Sequence, residues 1–182
     1  MATDATLLLE AVNFAAEKHK CQRRKDVEKT PYINHPIGVA RILSHEAGVT
    51  DVAVLQAALL HDTVEDTNTS FTEIEEKFGK EVQGIVEEVT DDKTLPKLER
   101  KQKQIDHAPH CSYKSKLVKL ADKLYNLRDL NRSSPEGWSQ QRVQEYFQWA
   151  SEVVKGLRGT NSALEKELDQ LFKDRGISVC AP

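Results

Sequence analysis

The sequence predicts an all-α fold: one helical bundle of about nine or ten helices. Three observations point there. Apolar residues recur at i, i+3 and i+4 through most of the chain, the spacing that lines one face of a helix. Glycine and proline are sparse, 8 and 6 among 182 residues, and no Asn-Gly or Asp-Gly pair separates alternating apolar runs, so no hairpin is signalled. The run Ala57-Ala58-Leu59-Leu60 is apolar on every side, as in a helix buried all round, and it leads straight into His61, Asp62, Glu65 and Asp66.

In order, a first helix is expected over residues 5–20, with Leu8, Ala11, Val12, Ala15 and Ala16 facing inward. Residues 21–34 are polar and basic, contain Pro31 and read as a loop. His35-Pro36 opens the second helix, because proline is tolerated in a first turn; Val39, Ile42 and Leu43 form its core face and Gly48 ends it. Asp51 caps a third helix that runs into the central motif. A helix over 71–78 closes at Gly79, and another over 80–89 buries Val82, Ile85, Val86 and Val89. Residues 90–94 form a loop, Pro96 restarts the chain, and residues 97–106 make a strongly basic helix followed by a second loop, 109–114. The clearest pattern spans 115–131, where Leu117, Leu120, Ala121, Leu124 and Leu127 make one stripe. On its flank Asp122 and Asn126 stand one turn apart. Helices over 139–157 (Val143, Phe147, Ala150, Val154) and 161–175 (Leu164, Leu168, Leu171, Phe172) complete the chain. No repeat or linker interrupts it, so a single domain over 1–182 is expected, its motif-bearing core at about 5–159.

Composition narrows the function. A net charge of −3 offers no overall basic field for nucleic acid. No apolar run approaches the ~20 residues that span a bilayer. The leucines at 7–9 are followed by Glu10, Asn13 and Glu17, which suits a helix rather than a signal peptide. The three cysteines are far apart and form no Cys-x-x-Cys pair, arguing against a disulfide framework or a thiolate zinc site and for a reducing, cytoplasmic setting. The exposed terminal helices leave self-association open.

The chemistry rests on residues far apart in sequence. His35 starts one buried helix, His61-Asp62 ends another, and Asp122 flanks a third. Two imidazoles and two carboxylates make a mixed nitrogen and oxygen donor set suited to Mn2+, Fe2+, Co2+ or Zn2+. Taken singly, each histidine would be a cap or a packed core residue; their convergence on one ion explains all four. Glu65 and Asp66 follow the ligand pair by three and four positions, within reach of a water polarised there.

The pattern of one His, then His-Asp, then a distant Asp resembles the HD-domain metal phosphohydrolases, and more closely the hydrolase domain of the RelA/SpoT family of alarmone enzymes. Tyr32-Ile33-Asn34-His35-Pro36 resembles that family's first ligand motif, and residues 57–67, AALLHDTVEDT, its second, including the Glu65-Asp66 pair peculiar to this branch. Phe78-Gly79 with VEEVT at 86–90 is similar to its third, and KLADKLYNLRDL at 119–130 to its fourth. The chain lacks room for the synthetase and regulatory domains of the long bacterial members and looks most like the small stand-alone animal form.

The resemblance implies one Mn2+ held by His35, His61, Asp62 and Asp122, with Glu65 as the main base and Asp66 in support. It implies a nucleotide substrate, guanosine 3′,5′-bis(diphosphate), cleaved at the 3′ ester to GDP and pyrophosphate. Arg24 and Lys25 in the basic loop would hold the purine and a phosphate; Lys97, Asn126, Arg142 and Tyr146 are further candidates for the substrate. Arg142 does not match the bacterial pattern, and Lys123 and Tyr125 stand where bacterial members have Arg and His. Such departures bear on which nucleotide is preferred. An alternative substrate is NADPH, whose 2′-phosphate would be removed to give NADH. A non-catalytic nucleotide sensor would keep the pocket but would not need both ligands and acids, and a helical scaffold would need neither.

Overall fold

The computed structural model describes residues 1–179, and ten α-helices follow one another along them. They are α1 (Asp4–His19), α2 (Asn34–Arg41), α3 (Val52–Leu60), α4 (Thr63–Asp66), α5 (Phe71–Phe78), α6 (Lys80–Val89), α7 (Lys97–His107), α8 (Tyr113–Arg132), α9 (Gln140–Lys155) and α10 (Ser162–Asp174). The expected all-α class and helix order are observed. No helix among the described residues is long and apolar enough to cross a membrane.

The centre of the packing is α3. Every residue from Val54 to Leu60 is buried, and α1, α2, α6 and α8 all lie against it. Asp51 caps it as expected, accepting from the Ala53 N–H at 3.0 Å. The expected inward residues of α8 and α9 are all buried, as are Leu164, Leu168 and Phe172 of α10. Val89, Leu171, Leu8 and Val12 are only half-buried and pack on the core edge.

Differences from the sequence reading fall at helix ends. The second helix does not stop cleanly at Gly48: it widens into a π-helical turn, Ile42–Glu46, closed by the Ala47 N–H on the Ile42 carbonyl at 3.0 Å, and Gly48 then turns the chain at φ +68°. The central motif is also broken in two. α3 stops at Leu60 because nearby side chains take its last carbonyls: His61 Nδ1 donates to Ala58 O at 2.6 Å and the Thr63 hydroxyl to Leu60 O at 2.7 Å. Glu65 and Asp66 then sit on the separate single turn α4. The loop expected over 109–114 is partly helical, with a 3-10 turn at Ala108–His110. Ser112 caps α8 at the Ser115 N–H, so that helix starts earlier than expected.

Gly38 is needed for a close approach. A Cβ there would lie 2.2 Å from the Tyr125 ring, whose edge packs on the His35 imidazole at a 4.7 Å centroid distance. Gly38→Ala is expected to destabilise the fold by about 1–3 kcal/mol through overpacking and to weaken metal binding through His35. Thermal unfolding with and without Mn2+ checks both.

Candidate metal centre and substrate cleft

His35 rides on the first turn of α2, His61 caps α3, Asp62 lies in the bend to α4, and Asp122 sits midway along α8. The fold brings all four together. His35, His61 and Asp62 offer donor atoms within 4.8 Å of one another. His61 Nε2 is 3.3 Å from His35 Nε2 and 3.1 Å from Asp62 Oδ2. Asp122 Oδ1 joins through both imidazoles, 3.0 Å from His35 and 3.3 Å from His61. Donors bound at about 2.0–2.2 Å and at right angles round one ion stand about 3 Å apart, so these separations match the edges of a ligand shell.

The surrounding bonds aim the donors. Because His61 Nδ1 donates to Ala58 O, its Nε2 lone pair faces the centre. Tyr32 Oη donates to Asp62 Oδ2 at 2.5 Å; burial, with Asp62 beside it, raises the phenol so that it stays a donor. Lys123, 5% exposed, holds Asp122 Oδ2 at 3.3 Å and lies 4.8 Å from the Trp149 ring centre. Burial opposes charge on Asp62 and Asp122, but the two histidines (and Lys123 for Asp122) outweigh it and lower both carboxyls. Burial lowers His35, whereas at His61 the two carboxylates overcome burial and raise the imidazole. The four side chains fit a divalent cation between them, and their donor types fit a nitrogen and oxygen site.

Glu65 and Asp66 lie beside the centre; with Asp62 they form a second group of oxygens within 4.8 Å of one another. The Asp91 N–H donates to Glu65 Oε1 at 2.8 Å. Burial, then Asp62, push the Glu65 carboxyl up to about 7, so it is poised to exchange a proton near neutrality. Asp66 is differently engaged, its Oδ1 meeting Lys93 at 2.6 Å and its Oδ2 receiving Gln22 Nε2 at 3.4 Å.

A cavity of about 220 Å³ surrounds these four side chains and adjoins a groove of about 470 Å³. Arg24, Tyr32, Asp66, Asn126 and Tyr146 line both. Asn126 links the two, donating to Asp122 Oδ1 at 3.2 Å and accepting from Arg24 at 3.2 Å. Arg24 also meets Asp129 at 2.8 Å and lies 5.6 Å from the ring centres of both Tyr32 and Tyr125. It is therefore a fixed charge in the wall. Lys25 lines the groove with an exposed side chain. Arg142 lies outside the lining and stacks on Trp138, a groove residue, at 4.1 Å. Lys97 sits in the exposed first turn of α7, away from both cavities. From the same basic helix it is Lys101 that reaches the site wall, over Tyr146 and Trp149.

Sequence reasoning passed over Tyr32 as a site residue, Asp91, Lys93 and Trp138. Tyr32 belongs to the first motif and could have been found there. The Asp91 contact is made by backbone and has no side-chain signal.

An HD domain family model matches residues 11–149. A Xenopus tropicalis protein is 79% identical over 98% of this chain and 100% of its own length. A human protein is 69% identical, also over 98% and 100%. Both are named guanosine-3′,5′-bis(diphosphate) 3′-pyrophosphohydrolase MESH1. A solved structure of a metazoan orthologue of SpoT, described as hydrolysing ppGpp with a role in starvation responses, superposes with a TM-score of 0.94 at 53% identity, over 98% of this chain and 100% of that one. The chain belongs to the HD-domain family, in its metazoan SpoT-like branch.

Proposed function

We propose that this chain is a Mn2+-dependent nucleotide phosphohydrolase that cleaves guanosine 3′,5′-bis(diphosphate) at the 3′ ester, giving GDP and pyrophosphate. The observation that carries the reading is the convergence of His35, His61, Asp62 and Asp122 next to a carboxyl, Glu65, held near neutrality at the head of a nucleotide-sized groove. The names borne by the 79% and 69% identical relatives support the substrate.

His35, His61, Asp62 and Asp122 would hold the ion, which when bound supplies a Lewis acid for a phosphoryl oxygen and for water. Glu65 Oε1 is occupied by the Asp91 N–H, which leaves Oε2 to take a proton from the attacking water. The water oxygen bonds to the phosphorus attached to O3′ as the bond from phosphorus to O3′ breaks in line with it; O3′ leaves with the bonding pair and takes a proton from solvent to become the hydroxyl of GDP, while Glu65 returns its proton to solvent. Asn126, fixed by Asp122 and Arg24, orients the ribose edge. Tyr146 and Arg24 wall the nucleoside side, Lys25 meets its 5′ phosphates, and Arg142 keeps Trp138 in place at the groove mouth. Lys97, exposed and unpaired with the cleft, serves as a steering charge for a polyanion.

A paired assay tests this. Purified protein with Mn2+ is given guanosine 3′,5′-bis(diphosphate) in one tube, read for pyrophosphate, and NADPH in another, read for phosphate. Release of pyrophosphate with the larger kcat/KM supports the reading; phosphate release from NADPH alone would replace the substrate, and silence in both would favour a sensor.

A further inference from the structure

We infer that Lys119, with Arg100 and Lys103 behind it, forms a subsite for the distal phosphate of the 3′-diphosphate group, on the side of the metal centre away from the nucleoside groove. This rests on the proposed hydrolysis and specifies where the second half of the pyrophosphate lies.

Three residues on one face of α8 give the direction. Asn126, Asp122 and Lys119 are spaced at i+7, i+3 and i, so along the helix they span about 10 Å at 1.5 Å per residue. Asn126 lines both the groove and the metal cavity, Asp122 the metal cavity alone, and Lys119 the metal cavity and a further small cavity of about 140 Å³ beyond it. The path therefore runs from groove, through metal centre, to small cavity. Of the two ends only the groove, at about 470 Å³, has room for a nucleoside. With the attacked phosphorus at the metal centre, the remaining phosphate points toward Lys119.

The chemistry of that end suits an anion. Lys119 is half-buried and has no hydrogen-bond or ion-pair partner among the described residues. Burial lowers its ammonium, outweighing the opposing pull of Asp91 and Glu88, neither of which it bonds. The Nε of Arg100 in the same small cavity is buried and unpartnered, and Lys103 completes the basic wall. The carboxylates there are already engaged: Asp91 accepts from Gln104 at 2.7 Å, Glu88 from the Ser112 N–H at 2.6 Å and Asp92 from Thr94 at 3.0 Å. Gln104 and Asp91 line both cavities, and Asp91 holds Glu65, so a phosphate seated here also touches the wall that positions the base.

The test uses Lys119→Met and Lys119→Arg in the full chain, with calorimetric titration of inorganic pyrophosphate and inorganic phosphate into Mn2+-loaded protein alongside hydrolysis of guanosine 3′,5′-bis(diphosphate). Lys119→Met is expected to weaken pyrophosphate binding and raise KM roughly 10- to 100-fold, the scale of one charged hydrogen bond. Phosphate binding and Mn2+ content should stay as in the wild type, and Lys119→Arg should restore most of the loss. A folded, metal-loaded Lys119→Met with wild-type affinity for pyrophosphate overturns the subsite. Should that variant fail to fold, Arg100→Gln carries the same comparison. A wild type that binds pyrophosphate through Lys119 yet leaves the bis(diphosphate) intact would retain the subsite and reject the proposed reaction.

Discussion

Asp62→Ala is expected to give a folded chain that holds no stoichiometric Mn2+ and whose turnover falls to background. Asp62 is the residue on which the centre and the acids meet. Its Oδ2 stands 3.1 Å from His61 Nε2 and 3.5 Å from His35 Nε2, takes the Tyr32 hydroxyl, and belongs to the oxygen group shared with Glu65 and Asp66. Removing it takes a ligand and leaves the Tyr32 hydroxyl without its acceptor, while the bulk of the core, centred on α3 and α8, is untouched. His61→Ala should do the same from the α3 side. Metal analysis after gel filtration, with circular dichroism as the fold control, checks the expectation. A variant that turns over normally with an empty site would sink the metal assignment.

Glu65→Gln is expected to keep its metal and lose turnover by roughly 10²–10⁴-fold, the usual contribution of a positioned general base. The amide preserves the acceptor for the Asp91 N–H, so the loop stays in place while the proton acceptor is lost. The pH profile separates this from a steric effect. Glu65 acts as a base only when ionised, so kcat/KM should rise with pH through its pKa. Burial and Asp62 push that pKa up to about 7, and a neighbouring cation pulls it lower. The acid limb of the profile should therefore lie below 7 in the loaded enzyme and vanish from the residual activity of Glu65→Gln. Full activity in the variant would transfer the role to Asp66. That transfer would be harder to accommodate, because both Asp66 oxygens are occupied, by Lys93 and Gln22.

Much of this was legible in the chain itself. The helical period of residues 115–131 separated the buried stripe of α8 from the line of Asp122 and Asn126, and the structure puts that stripe in the core and that line in the cleft. The all-apolar run at 57–60 announced a helix with no exposed side, but uniform apolarity carries no phase. It therefore could not show that α3 ends at Leu60 or that Glu65 and Asp66 stand on their own turn. Contacts made at long range or by backbone left the least trace. Arg24 reads as a loop cation free to grip a ligand, until Asp129, 105 residues later, is seen to hold it. Nothing in the basic stretch 97–103 separates Lys97 from Lys101, since a charge run does not say which residue faces inward. The packing of α7 against α9 does, by setting Lys101 over Trp149.

The most direct test of the metal-dependent hydrolysis is to strip the protein with chelator, titrate Mn2+ back, and follow bound metal and pyrophosphate release together. No turnover is expected in the stripped protein, then a rise proportional to bound metal, a break at one ion per chain, and neither binding nor turnover in Asp122→Ala. Turnover by the metal-free chain, or activity indifferent to how much metal is bound, would contradict it.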